Sequence, residues 1–268
     1  MKERIEINQN GEIHYWTEGD HEEVIVFTHG AAADHDLFKH QVGYFSSQYK
    51  VIVWDAPLHG LSRPYKHFSL TNAALELSNI LKMEEIEKAH FVGQSMGGYI
   101  IQELYKTEPQ SVKSLSFIGS NPFGNQYLSS TDRWFIRNSS LFFKVYPYNT
   151  LIKEMAKGNS YSRDSFRYMM QTLKKLSKKE IIGILDTIYR DFLTRTEKLA
   201  IDCPLLITYG EFDKTGKVPS LCRQWAREQN ISAIAIPKAS HNANYDNPDA
   251  FNELLENFLK QIQVNGQE

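Results

Sequence analysis

Three kinds of side chain able to do nucleophilic chemistry stand at abrupt turns of this sequence. The first is Ser95, in the stretch "HFVGQSMGGYI" at 90–100, framed by Gly93, Gly97 and Gly98. Serine is a poor helix-interior residue and glycine weakens any regular element. Their clustering between a β-branched run and a helix-forming run therefore marks a sharp strand-to-helix turn. At the tip of such a turn a serine is held in a strained conformation and lifted above the sheet, and side chains in place of the glycines would collide with neighbouring strand or helix. The helix that begins at Met96 aims its free N–H groups and positive dipole end at any oxyanion formed there. A hydroxyl needs a base, and the base an orienting carboxylate. "AIAIPKASHNANYDNP" at 233–248 offers His241, and "LLITYGEFDKTG" at 205–216 offers Glu211 and Asp213.

Something must bring these groups together, and the element pattern supplies it. "RIEINQ" and "EIHYWTE" alternate in polarity around Asn10-Gly11, a strong hairpin signal. "EVIVFTHG", "YKVIVWDA", "AHFVG", "VKSLSFIGS", "PLLITYGE" and "SAIAIP" read as later strands, several of them continuous apolar runs covered on both faces. Helical patterns lie between them: "LFKHQVGYFSSQ", "SLTNAALELSNILKMEEI" with Ser69 or Thr71 as cap, "GGYIIQELYKTEP", and a closing helix over about 248–261 capped by Asn247. Strands alternating with helices predict an α/β fold with a mostly parallel central sheet flanked by helices. Parallel strands end their C-termini on one side, so Ser95, Glu211, Asp213 and His241 are all expected at one sheet edge, where such sheets bind ligands.

The segment 121–199 breaks the alternation. It is helical in pattern, lacks a buried strand and is rich in Phe, Tyr and Met, as in "WFIRNSSLFFKVYPY". It is too long for a loop and is read as an inserted helical cap on a core domain of 1–120 and 200–268. The inner surface of a cap faces substrate. Trp134, Phe135, Phe142 and Phe143 are the expected substrate-binding residues, although the same aromatic set, with Tyr146, Tyr148, Phe166, Tyr168 and Met169, must also furnish the cap's own core.

Composition narrows the function. The 268 residues are 41% hydrophobic and carry a net charge of −2, enough for one substantial core. The most basic run, "KKLSKKE" at 174–180, reads as a solvated helix face, so no nucleic-acid partner is expected. No run of about 18 apolar residues occurs and the first residues are charged and alternating. A cytoplasmic protein with no membrane partner is the expectation. Cys203 and Cys222 read as buried free thiols, and His29, His35 and His40 have no recognised metal-ligand spacing, so no metal is expected. No G-x-G-x-x-G fingerprint follows the first strands, so neither a nicotinamide nor a flavin cofactor is expected. Oligomeric state is left open.

Five motifs together carry a resemblance: "THG" at 28–30, "WDAPLHGLS" at 54–62, "GQSMGG" at 93–98, "GEFD" at 210–213 and "ASHNANYDNPDAFNELLENFL" at 239–259. In this order, over nearly the whole chain, they resemble the α/β-hydrolase family in its capped serine-hydrolase (carboxylesterase-like) form. The resemblance implies Ser95 as nucleophile, Asp213 as acid and His241 as base, with Glu211 as the fallback acid. It implies an oxyanion hole built from the backbone N–H groups of Met96 and Ala31, or Ala32 if the loop is displaced by one. Gly30 is expected to let that loop turn, and His29 to fix it by a side-chain hydrogen bond. "WDAPLHGLS" departs from the family's usual Asp-x-Pro-Gly-x-Gly-x-Ser, and Asp55, His59 and Ser62 are expected to knit that loop. Asp34 or Asp36 is read as the cap of the following helix.

A serine, an imidazole and two N–H donors suit acyl transfer. The expected reaction is hydrolysis of a carboxylic ester or thioester of a small to medium apolar acyl or aryl substrate through an acyl-enzyme. Carbon–carbon bond hydrolysis on the same fold, and a non-catalytic small-ligand receptor, stand as alternatives.

Overall fold

A computed structural model of the protein describes residues 1–265. β1 (Lys2–Asn8) and β2 (Gly11–Glu18) form the hairpin around Asn10-Gly11, antiparallel and in register from Lys2 opposite Thr17 to Asn8 opposite Gly11. β3 (Val24–Thr28), β4 (Lys50–Trp54), β5 (Ala89–Gln94) and β6 (Val112–Ile118) are buried along almost their whole length, as their unbroken apolar runs require. β7 (Leu205–Gly210) and β8 (Ala233–Ile236) complete one eight-stranded sheet in the order β1-β2-β4-β3-β5-β6-β7-β8. Only the β1–β2 and β2–β4 pairs are antiparallel; β3, β4, β5, β6, β7 and β8 run parallel.

The chain steps from β3 outward to β4 and then back across to β5, so β3 and β5 flank a topological switch point. Loops leaving the C-terminal ends of two such strands diverge and open a crevice between them. His29-Gly30 leave β3 there and Ser95 leaves β5.

The helix expected over 37–48 begins as a 3-10 turn at His35–Phe38 and continues as α1 (Lys39–Phe45). In α2 (Leu70–Met83) the cap is Ser69, whose hydroxyl accepts the Asn72 N–H at 3.0 Å. α3 (Met96–Thr107) follows the serine turn. Between β6 and β7 come α4 (Ser130–Val145), α5 (Tyr148–Asn159), α6 (Arg163–Lys174) and α7 (Lys178–Thr194). After β7 the chain adds α8 (Val218–Glu228), the short α9 (Ala243–Asp246) and α10 (Pro248–Asn265).

One buried apolar cluster runs from Phe27, Phe91 and Phe117 of the sheet into Tyr168, Leu173, Ile181 and Ile188 of α6 and α7. α4 is different, for none of its described side chains is buried. Cys222 is buried and Cys203 only half-buried, both as free thiols.

Candidate active site

Ser95 sits between β5 and α3 with φ +51° and ψ −115°, in the left-handed half of backbone space that disfavours any L side chain. Neighbouring backbone holds it there: its N–H donates to the Ile118 carbonyl at 2.9 Å, and its carbonyl accepts the Gly98 N–H at 2.9 Å. A side chain at Gly97 would collide with the backbone oxygens of Thr28 and His29. Only glycine there lets α3 start against the end of β3, so the serine hydroxyl and the unpaired N–H groups of the first helical turn share one spot.

β7 and β8 deliver the other two groups. The imidazole of His241 donates from Nδ1 to Asp213 Oδ2 at 2.8 Å, and both residues are buried. The Thr215 N–H donates to Asp213 Oδ1 at 2.8 Å. Burial pushes the Asp213 carboxyl upward, but the charge and hydrogen bond of His241, with help from Thr215, outweigh it and hold the group below the usual carboxylate range. Glu211, the residue directly after Gly210, points elsewhere: it is exposed and accepts the Lys238 N–H at 3.0 Å. Ser95 and His241 line the same cavity. Among the described residues no hydrogen bond closes between the serine hydroxyl and the imidazole, a loose geometry that substrate commonly tightens.

Two neighbours of this pair were not singled out from the sequence. Gln94 donates through Nε2 to the His241 carbonyl at 3.0 Å, tying the serine turn to the histidine loop. Gly119 has φ +54°, and a Cβ there would lie 3.0 Å from His241 Nδ1 and 3.3 Å from Asp213 Oδ2. The glycine at the end of the "SFIG" strand was the available signal for it.

The loop after β3 is held from below by His29. Its Nε2 accepts the Ala56 N–H at 3.0 Å, so the proton is on Nδ1, which donates to the Gly30 carbonyl at 2.7 Å. Burial keeps the imidazole neutral by lowering its pKa. Because a peptide group is planar and trans, fixing the Gly30 oxygen aims the Ala31 N–H the opposite way. Ala31 and Met96 both line the cavity, while Ala32 is buried with φ +58°. The turn expected at Gly30 is therefore made at Ala32. Gly30 is required for space, since a Cβ there would press on the Gln94 side chain and the Ser95 Cβ.

Asp55, His59 and Ser62 bind protein groups. The Asp55 carboxylate accepts the His35 N–H and His35 Nδ1–H, both at 2.8 Å, and the Leu61 N–H at 2.7 Å. His59 Nδ1 donates to the Pro57 carbonyl at 2.9 Å, and the Ser62 hydroxyl accepts the His14 N–H at 2.9 Å. Asp34 departs from expectation. It precedes the 3-10 turn without a side-chain capping bond. Its carboxylate instead meets the Tyr168 hydroxyl of α6 at 3.1 Å and Nζ of Lys175, just past the end of α6, at 3.0 Å.

The cavity measures about 560 Å³, within the usual range for a small-molecule site, and its walls are mostly apolar. Phe135, Ile136, Ser139, Phe142 and Phe143 line it from α4. Their spacing is that of one helical face. Trp134 does not belong to that face. One residue before Phe135, it is turned about 100° away, is 56% exposed and meets Phe135 edge to face. Of the four aromatics expected at the substrate, three line the cavity and Trp134 lies outside it. Tyr99, Met155, Leu185 and Ile188 also line it, and no motif of the sequence singles them out. Among the described residues no group of three or more His, Cys, Asp or Glu is placed to hold a metal ion.

A family model described as the alpha/beta hydrolase fold matches residues 23–248. The chain is 28% identical to 3-oxoadipate enol-lactonase 1 of Acinetobacter baylyi over 89% of each protein. It is 26% identical to the pimeloyl-[acyl-carrier protein] methyl ester esterase of Pectobacterium carotovorum over 90% of this chain and 96% of that one. In fold it is similar to a thermophilic esterase from Thermogutta terrifontis, with a TM-score of 0.81 at 18% identity, covering 98% of this chain and 99% of the other.

Proposed function

The chain belongs to the alpha/beta hydrolase fold family, and on that premise we propose that it hydrolyses carboxylic esters or thioesters of an apolar acyl or aryl group. Ser95 is the nucleophile, His241 the base and Asp213 the acid that orients it. The observation that carries this reading is the 2.8 Å contact between Asp213 and His241 on a cavity that also presents Ser95 in its strained turn. The names of the lactonase and the methyl ester esterase among the relatives favour ester bonds over other acyl links.

In this mechanism the Ser95 hydroxyl attacks the carbonyl carbon as its proton passes to His241 Nε2. The N–H groups of Ala31 and Met96 receive the developing oxyanion, each worth a few kcal/mol when preorganised. The imidazolium then protonates the departing alcohol or thiol, leaving an acyl-serine. Water repeats the sequence, giving its proton to His241 and returning Ser95 free. Asp213 holds the proton of the resting imidazole on Nδ1, so that Nε2 is the basic nitrogen facing the cavity. Residues 121–199 act as the cap, and Phe135, Phe142 and Phe143 contact the acyl or aryl group.

A fluorophosphonate probe and a series of p-nitrophenyl esters test the reading. The wild-type protein should label once and cleave butyrate or hexanoate faster than acetate, and Ser95→Ala and His241→Ala should abolish both. Labelling that survives Ser95→Ala, or its absence from the wild type, overturns the assignment. Much faster cleavage of acetate overturns the apolar-substrate part alone.

A further inference from the structure

Among the described residues seventeen large apolar side chains are exposed, and six of them fall between 134 and 146. At about 100° per residue, Trp134, Leu141 and Val145 project within roughly 20° of one line along α4. Val145 is 83% exposed and Leu141 56%. The opposite face, with Ile136, Ser139 and Phe143, is the one that lines the cavity. Arg133, Arg137 and Lys144 flank the outer stripe on one side. Phe135 and Phe142 flank it on the other, half exposed while also lining the cavity.

Charge is divided in the same sense. Residues 121–199 hold 14 Lys and Arg against 7 Asp and Glu, a net +7, while the rest of the chain holds 16 against 25. An apolar stripe with a tryptophan, edged by cations on a helix with no buried side chain among those described, is the pattern of a helix lying in a lipid interface. A second copy of the chain suits the stripe poorly, because two insertions of charge +7 would face each other. A lipid surface accepts a single apolar ridge without a complementary groove, and its phosphates match the flanking cations. No helix among the described residues is long and apolar enough to cross a membrane, so a lipid contact here is one of lying on the surface.

We propose that α4 docks the protein on an anionic lipid surface, with Trp134, Leu141 and Val145 at the headgroup–acyl boundary and Arg133, Arg137 and Lys144 on lipid phosphates. Phe135 and Phe142 then connect that boundary with the cavity holding Ser95.

Trp134 provides its own reporter, since Trp16, Trp54 and Trp225 are buried. The full-length protein should cosediment with phosphatidylglycerol vesicles at low salt, and its tryptophan emission should move to shorter wavelength. Phosphatidylcholine vesicles should produce neither effect. Trp134→Phe should remove the emission shift. Leu141→Glu with Val145→Glu should weaken vesicle binding at least tenfold while leaving circular dichroism and cleavage of a soluble p-nitrophenyl ester unchanged. Arg137→Ser and Lys144→Ser should each weaken it roughly fivefold. Failure to cosediment with phosphatidylglycerol, or equal binding by the double glutamate variant, overturns the proposal. So does a dimer in sedimentation velocity that the double variant dissociates, or an emission shift produced only by an acidic protein. Vesicle binding is read without catalysis, so its failure is distinct from failure of the hydrolase reading.

Discussion

Carboxylate Asp213 is buried, and its charge is tolerated because the His241 imidazole and the Thr215 N–H both face it. Asn in its place keeps the volume but presents an amide that can hold the imidazole with its proton on the wrong nitrogen. Asp213→Asn should therefore lower kcat for p-nitrophenyl butyrate by about 10³–10⁴ with the fold intact by circular dichroism. Glu211→Gln changes an exposed group engaged with Lys238 and should leave kcat within about twofold. The reverse pattern would move the acid to Glu211. These candidates were legible in the sequence because each stands where a strand pattern stops, and strand ends are marked by a change of hydrophobic period. Gly119 and Gln94 were harder to see. Their importance lies in contacts with a loop more than a hundred residues away, which no local pattern encodes.

At the scale of elements, α6 is pinned to the loop after β3 by one buried group. The Tyr168 hydroxyl accepts the Asp34 N–H and donates to the Asp34 carboxylate, both at 3.1 Å, and its ring stacks on Tyr245 at 4.8 Å. Tyr168→Phe keeps the stack and leaves the Asp34 N–H buried without its partner. That should cost about 1–3 kcal/mol, measured as a shift in urea unfolding. Because α6 also carries Met169 into the cavity, KM for a hexanoate ester should rise while kcat stays within about twofold. An unchanged urea midpoint would show that Lys175 alone secures Asp34. This latch was not legible from the sequence: an aspartate before an apolar run is the ordinary signature of a helix cap, and only packing against α6 recruits it elsewhere. The helical pattern of 121–199 was legible, as was its wealth of Phe, Tyr and Met. The step of one residue that separates Phe135 from Trp134 was not, because aromatic clustering alone carries no direction and the turn of about 100° per residue decides which ring meets the cavity.

Across the whole molecule, buried histidines set the acid limit of stability. His59 donates from Nδ1 to Pro57, so its buried Nε2 is a bare acceptor without a partner among the described residues. Protonating it would bury an unmatched N–H and a charge beside His29, and burial foremost drives its pKa down to about 3. Burial likewise takes His90 down to about 4 and lowers His29. In each case the unfolded chain binds the proton more readily than the fold. Stability is therefore intact above the ordinary histidine pKa of about 6.5 and declines as pH falls below it. His35 acts in the opposite sense. Burial pulls it down, but the hydrogen bond and charge of Asp55 outweigh this and raise it, so its contribution is complete below about pH 6.5 and fades as pH rises through its folded value. The depressed carboxylates Asp55 and Asp213 lose their contribution only below about pH 3.8. The interval from about pH 6.5 to 4.5 thus reports on histidine together with Glu6, whose carboxyl is raised above its usual range by burial and then by the Glu76 charge. His59→Asn retains an N–H for Pro57 and removes the orphaned nitrogen, so it should cut the loss of unfolding free energy in that interval by up to about 1.4 kcal/mol per pH unit. Urea unfolding of both proteins at half-unit steps measures the difference, in which every other titrating group cancels. An identical slope in the two would mean that the fold opens to let His59 take its proton.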